Sequence, residues 1–569
     1  MSEATFFGAD AVIKVLESEQ VDVIFGFPGA AVIPIYDRLY HAEAEGRIHH
    51  VLTRHEQGAV HAADGYARAT GKVGVCIATS GPGAMNLITG IATAYMDSVP
   101  LVALTGQVRT GIIGKDAFQE ADTFGVTMPI TKHNYLVKDA GRLAEVLREA
   151  FYIARTGRPG PVLVDIPVDL TNTPCEWHED GHKQIPGYNP PGKGDPEALR
   201  QAAELISKAE RPVLYVGGGV IASGASDLVR QLAEKASLYT VHTLMAKGAF
   251  PEDHELSMGM PGMHGTAYAT HAMHHAGLII SVGARFDDRV TGDPSKFAPE
   301  AEVIHIDIDP AEINKVRRAR VGIVGDAREV LEELLPLVKP RRPGEWEAHL
   351  KEWRADHPLS YNADPEDGVS PQYVIEQLWE ATKGEAVVCT EVGQHQMWAA
   401  QYYRCRYPRQ FISSGGLGTM GYGFPAAIGA QIGCPDRTVV DIAGDGSIQM
   451  CIQELATAVI QKLPVKIVIL NNGYLGMVRQ WQDLFYGKRY SGVDLSGNPD
   501  FVKLAEAYSA AGFLVTDKAQ VRPTLDKAMQ ITDRPCLIDV HTPPEENVFP
   551  MIPAGKTFED MMETAPVGV

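Results

Sequence analysis

The run Gly444-Asp445-Gly446-Ser447, followed further along by Asn471-Asn472, has the residue types of a metal–diphosphate site. A carboxylate and a side-chain amide oxygen are hard ligands suited to Mg²⁺, and diphosphate oxygens would complete an octahedron. Thr438 to Ala443 reads as a buried strand, Ser447 to Gln461 as a helix of about four turns, and Val465 to Leu470 as the next strand. Such a crossover is right-handed, so the two strands run parallel. Asp445 and Asn472 then sit at strand carboxyl ends, where open α/β sheets bind ligands. The glycines allow close backbone approach, and a helix starting at Ser447 would aim free N–H groups and its positive end at an anion.

Three further groups have chemical potential. Glu56, in Thr53-Arg54-His55-Glu56-Gln57-Gly58-Ala59, follows the apolar run HHVL and opens an alanine-rich helix. A carboxyl group in apolar surroundings has a raised pKa and can share a proton. Arg285, in GARFDDRVTG (283–292), follows a strand and has the fork geometry to grip a carboxylate. His271, His274 and His275 have helical spacing, but no acidic or thiol partner lies nearby in sequence, so no metal is assigned to them.

The elements around these residues alternate short apolar strands with amphipathic helices, the pattern of α/β domains with parallel sheets. Gly/Pro-rich stretches at 181–195 and 339–367 read as linkers. They divide the 569 residues into blocks 1–180, 196–340 and 368–569. The expected fold is three doubly wound parallel-sheet domains. The first and third share one plan, because VGVCIATS…PLVALTG and TVVDIAGDG…PVKIVILNNG both read strand, Gly-containing turn, helix, strand.

Composition narrows the partners. The net charge of −20 disfavours nucleic acid and anionic lipid. It also repels anionic substrates at long range, so such a substrate would need local cations. The start of the chain lacks the basic and apolar regions of a secretory signal, and no uncharged apolar stretch has the length of a membrane span. Seven cysteines without a CxxC pair fit a reducing compartment, which gives a cytoplasmic expectation. VGGGVIASG after a strand lacks the G-x-G-x-x-G spacing of a nicotinamide site.

GDG followed by NN resembles the thiamine diphosphate motif. The resemblance extends over about residues 5 to 550 through FGFPG, RHEQGA, TSGPGAMNLITGIATAYMDSVP, TGQV, DAFQE, GMPGMHGT, GARFDDRVTG, HIDIDPAEI, GLGTMGYGFPAAIGA and NNGYLGMVRQWQ. In that order these motifs resemble the large catalytic subunits of acetohydroxyacid synthases (acetolactate synthases). The resemblance implies thiamine diphosphate, Mg²⁺ and FAD as cofactors, with pyruvate and 2-ketobutyrate as substrates. It implies decarboxylative condensation to 2-acetolactate or 2-aceto-2-hydroxybutyrate. Pyruvate oxidases, oxalyl-coenzyme A decarboxylases and sulfoacetaldehyde acetyltransferases are alternatives within the thiamine enzymes, disfavoured by RFDDRVTG and VRQWQ.

The site residues carry over one by one. The resemblance makes Glu56 the carboxyl group that promotes the imino form of the cofactor's aminopyrimidine, and the carbonyl of Tyr474 the third metal ligand beside Asp445 and Asn472. Pro28, Gly29, Met420, Gly444, Gly446, Ser447 and Met477 are the other expected thiamine diphosphate contacts. Gln107 and Phe118 are expected to reach the reaction centre from the partner subunit. Arg285 is expected to hold the second keto acid and Trp481 to size it. The flavin contacts are expected at Arg158, Gly217, Gly218, Gly262, His264, Gly283, Arg285, Asp287, Arg289 and Asp307. A homodimer or homotetramer with active sites between chains is implied, and a small regulatory subunit is left open. Val168, Met128 and Ala30 depart from residues common in the family, which leaves the second-substrate preference open.

Overall fold

The computed structural model describes residues 6–177, 185–366 and 368–564. The first sheet contains β1 (Val23–Phe27), β2 (His49–Leu52), β3 (Gly74–Ala78), β4 (Leu101–Gln107), β5 (His133–Leu136) and β6 (Pro161–Pro167). The second contains β7 (Pro212–Val216), β8 (Tyr239–His242), β9 (Ser257–Gly259), β10 (Leu278–Val282), β11 (Glu302–Asp307) and β12 (Val321–Val324). The third contains β13 (Val387–Thr390), β14 (Phe411–Ser413), β15 (Val439–Gly444), β16 (Lys466–Asn471), β17 (Ala511–Val515) and β18 (Cys536–His541). All three sheets are parallel, and most of their strands are buried along their length, as sheets covered by helices on both faces require.

The strand orders locate the ligand sites. The first sheet runs β2-β1-β3-β4-β6-β5 and the third runs β14-β13-β15-β16-β18-β17, the same order counted from each domain's first strand. The middle sheet runs β12-β11-β10-β7-β8-β9, the order of dinucleotide-binding folds. The winding direction reverses between β1 and β3, β7 and β10, and β13 and β15, and in the first and third sheets the last strand also steps back inside its predecessor. A crevice opens at the carboxyl ends of strands at such a point.

The first and third domains join through helix Glu56–Thr70 against helix Gly423–Gly433. Their backbones touch: a Cβ on Gly65 would lie 2.1 Å from the Ala426 carbonyl oxygen, and one on Gly429 would lie 1.8 Å from that of Ala62. Only glycine permits that approach, and the helix it seats begins at Glu56.

Two expectations change. Ser447–Gln461 is not one helix but a single turn (Asp445–Ile448), a 3₁₀ turn (Ile452–Glu454) and a short helix (Leu455–Ile460). The break turns buried Glu454 towards the first domain, where its carboxylate accepts from the N–H groups of Arg54 (3.0 Å) and His55 (3.1 Å). With one turn after Gly444 the helix dipole is small, so anion binding there rests on individual N–H groups. The second linker stretch contains helix Glu345–Asp356. Its Trp346 and Leu350 are buried in the middle-domain core, and the indole N–H donates to the Pro212 carbonyl at 3.1 Å.

Candidate active site

A cleft opens at the reversal point of the third sheet. Its lining includes Met420, Gly444, Asp445, Gly446, Ser447, Asn472, Tyr474 and Met477, all expected from the sequence to meet thiamine diphosphate. Register brings them together: Gly444 pairs with Leu470, so Asp445 and Asn472 emerge side by side from β15 and β16.

Asp445 is buried, and burial pushes its carboxyl up to about 6. Asn498 donates to one of its oxygens at 2.6 Å. The Asn472 side-chain oxygen accepts from the Tyr474 N–H (3.0 Å), and its amide donates to Gln394 (3.3 Å). The Ser447 hydroxyl bridges the N–H and carbonyl of Gly444, fixing the turn. Glu391 holds the turn that brings Met420 to the cleft by accepting from the N–H groups of Gly421 (2.7 Å) and Phe424 (3.1 Å).

His395 was not foreseen. Its ring lies under Gly444, where a Cβ would come within 2.7 Å of Nδ1. Burial lowers its pKa to about 3, so the ring is neutral, and its Nε2 is buried without a partner. Gln394 and His395 follow β13 at the reversal point, and that topology was the one available signal for them. The cleft fits a metal–diphosphate group: three hard oxygen donors in Asp445, Asn472 and the Tyr474 carbonyl, a floor of two glycines, and an unpaired imidazole nitrogen.

At the reversal point of the first sheet stand Pro28 and Gly29 after β1, and Glu56 after β2. Glu56 is 8% exposed, and one of its oxygens accepts from Asn86 at 2.9 Å. None of these residues lines the third-domain cleft, whose lining lies entirely between 392 and 478. Gln107 is buried and its amide is engaged: it donates to Asp165 and Ala121 at 2.9 Å and accepts from the Val108 N–H at 2.8 Å. Phe118 is 89% exposed. Trp481 lies on helix Gly476–Phe485, one turn beyond Met477 and on the same face, against Phe485.

The flavin candidates mostly gather at the carboxyl edge of the middle sheet. Gly217 follows β7 and Gly283 follows β10, and a Cβ on Gly217 would lie 1.9 Å from the Gly283 carbonyl oxygen. Gly218 is next to this contact, and Asp307 ends β11 with its carboxyl raised to about 6 by burial. Arg285 is half-buried beside Asp287, which caps the short helix that follows by accepting from the Arg289 N–H. Arg158 reaches the edge from the first domain but is held by Ser98, Asp309 and Glu312. Gly262 and His264 lie across from Arg289: the Met263 N–H donates to the Arg289 carbonyl at 2.7 Å, and the Arg289 guanidinium is exposed.

Three family models match the chain. They are the N-terminal TPP binding domain (residues 7–126), central domain (199–334) and C-terminal TPP binding domain (391–540) of thiamine pyrophosphate enzymes. The fold and cleft therefore belong to a thiamine pyrophosphate enzyme. The chain is 51% identical over 563 residues to the acetolactate synthase large subunit of Corynebacterium glutamicum, covering 97% of this chain and 90% of the relative. It is 52% identical over 564 residues to the acetolactate synthase of Mycobacterium bovis (97% and 91%). It is 47% identical over 567 residues to the acetolactate synthase isozyme 3 large subunit of Escherichia coli (97% and 98%). The chain belongs to the acetolactate synthase large-subunit family. Among the described residues, no helix is long and apolar enough to cross a membrane.

Proposed function

We propose that the chain condenses pyruvate with a second 2-keto acid, pyruvate or 2-ketobutyrate, with loss of CO₂. The products are 2-acetolactate or 2-aceto-2-hydroxybutyrate, at the first common step of branched-chain amino acid biosynthesis. The observation that carries this reading is the convergence of Asp445, Asn472, Tyr474, Met420 and Met477 on one cleft at the reversal point of a thiamine-enzyme domain. Thiamine diphosphate, when bound, supplies the nucleophilic carbon and the electron sink for decarboxylation.

Asp445, Asn472 and the Tyr474 carbonyl would hold Mg²⁺, which keeps Asp445 ionised despite its burial. The backbone N–H groups near Gly446 and the free nitrogen of His395 would receive the diphosphate. Glu56, oriented by Asn86, would exchange a proton with the pyrimidine ring. Arg285 would bind the carboxylate of the second keto acid, and Trp481 would pack on its alkyl end. FAD would lie in the middle-sheet crevice beside Gly217, Gly218 and Gly283.

Glu56 does not line the cleft, so the complete site would be formed by two chains, with exposed Phe118 covered in the assembly. The relatives named large subunits support a small regulatory partner. A cytoplasmic location agrees with the free cysteines. Glu56→Gln keeps the shape of the side chain but cannot exchange the proton. It is expected to lower kcat by roughly 10²–10⁴-fold with thiamine diphosphate still bound. Activity close to wild type would remove Glu56 from the mechanism.

A further inference from the structure

The sequence offers His271, His274 and His275 no acidic partner, but the fold provides one. His271 lies on helix Ala267–His274, and His357 follows the end of helix Glu345–Asp356. Glu563 comes from the C-terminal tail, 206 residues beyond His357. One ring nitrogen of each histidine and a carboxylate oxygen of Glu563 all lie within 4.8 Å of one another. His357 Nδ1 and Glu563 Oε2 are 2.8 Å apart. His271 Nδ1 is buried and has no hydrogen-bond partner. An unpaired buried nitrogen beside a histidine–carboxylate pair is costly unless something occupies it.

We propose that His271, His357 and Glu563 form a site for a divalent transition metal of the Zn²⁺ class, which clasps the C-terminal tail onto the middle domain. Two imidazoles and one carboxylate suit Zn²⁺, with water as a fourth ligand. The His271 and His357 rings are stacked at 4.7 Å, so metal binding would turn them out of the stack until their lone pairs converge. Glu559, Glu300 and Arg211 face the neighbouring His274 and His275, and Arg211 pairs with Glu300.

What the clasp would hold is visible in the tail. Phe558 stacks on His274 at 4.3 Å and meets His271 edge-on at 4.7 Å. Met551 and Met562 exchange two backbone hydrogen bonds of 2.8 Å, closing the tail into a loop. The Ile552 N–H donates to the Met263 carbonyl and the Asp293 N–H to the Lys556 carbonyl, so the loop lies on the segment that carries Arg289. Earlier in the tail, Val548 and Gln480 bond to each other, which reaches the helix of Trp481. The metal would stabilise the last link of this chain.

The test uses the full-length, tag-free protein saturated with Mg²⁺ and thiamine diphosphate, and Zn²⁺ titrated against a chromogenic chelator. The expected result is one Zn²⁺ per chain that Mg²⁺ does not displace. It should be accompanied by slower tryptic cleavage after the exposed Lys556. His357→Ala and Glu563→Gln should each weaken that binding by at least the roughly tenfold that loss of an outer-shell partner costs, and should abolish the protection. Glu563 is exposed, so its variant folds irrespective of how His357→Ala behaves. Zn²⁺ affinity equal in wild type and Glu563→Gln would overturn the site. Binding without protection of Lys556 would overturn the clasp.

Discussion

Because Glu56 is absent from the lining of the cleft that holds Asp445, a site completed between two chains predicts that two inactive variants restore each other. Glu56→Gln disables the first-domain half of every site in its homodimer, and Asp445→Asn disables the third-domain half. In a C₂ dimer with sites across the interface, a mixed dimer has one site carrying both substitutions and one carrying neither. Random reassociation of equal amounts makes about half of the dimers mixed, so about a quarter of all sites are intact. The mixture should therefore recover about a quarter of wild-type kcat, with wild-type KM, since each recovered site is unaltered. The assay is acetolactate formation after dissociation in mild denaturant and return to buffer, with each variant treated alone as the control. Recovery stops near zero if each chain builds its own site, and that result would refute the inference drawn from the cleft lining.

Two further outcomes follow from local packing. Trp481→Leu removes the ring one turn beyond Met477. It should reduce discrimination for 2-ketobutyrate over pyruvate by about 1–3 kcal/mol, read as the ratio of acetohydroxybutyrate to acetolactate in a competition, and an unchanged ratio would exclude Trp481 from the acceptor pocket. His61 is fully buried with both ring nitrogens unpaired, and burial lowers its pKa from 6.5 to about 3. The unfolded chain thus binds a proton there before the folded one does. Its contribution is complete above about pH 6.5 and is lost towards about pH 3, at up to about 1.4 kcal/mol per pH unit. His61→Phe should flatten the fall of the thermal midpoint on acidification, and an equally steep fall would mean that His61 is not charged on unfolding.

How much of this was legible in the sequence depends on the range of the interactions. Asp445 and Asn472 were readable because right-handed crossover geometry places them together from local pattern alone. The placement of Glu56 at a helix start was readable from the apolar run that precedes it. The break after Ile448 was not, because it follows from Glu454 bonding to Arg54 and His55, residues 400 and 399 positions away. Gln107 appears in the motif as a free amide, and only the fold shows it saturated by Asp165, Ala121 and Val108. His395 is one polar residue after a strand until strand order places that strand at a reversal point. The polar start of helix Glu345–Asp356 hid Trp346 and Leu350 within an apparent linker. His271, His357 and Glu563 meet only because helix and tail pack together, which no local spacing encodes.

The central claim is the reaction itself, and NMR analysis of the products tests it most directly. The purified chain is incubated with pyruvate, thiamine diphosphate, Mg²⁺ and FAD, without phosphate or an electron acceptor, and then again with 2-ketobutyrate added. The expected product is acetolactate from pyruvate alone, shifting to acetohydroxybutyrate in the mixture. Acetaldehyde as the sole product, or no turnover, would contradict the condensation and leave only the cofactor site.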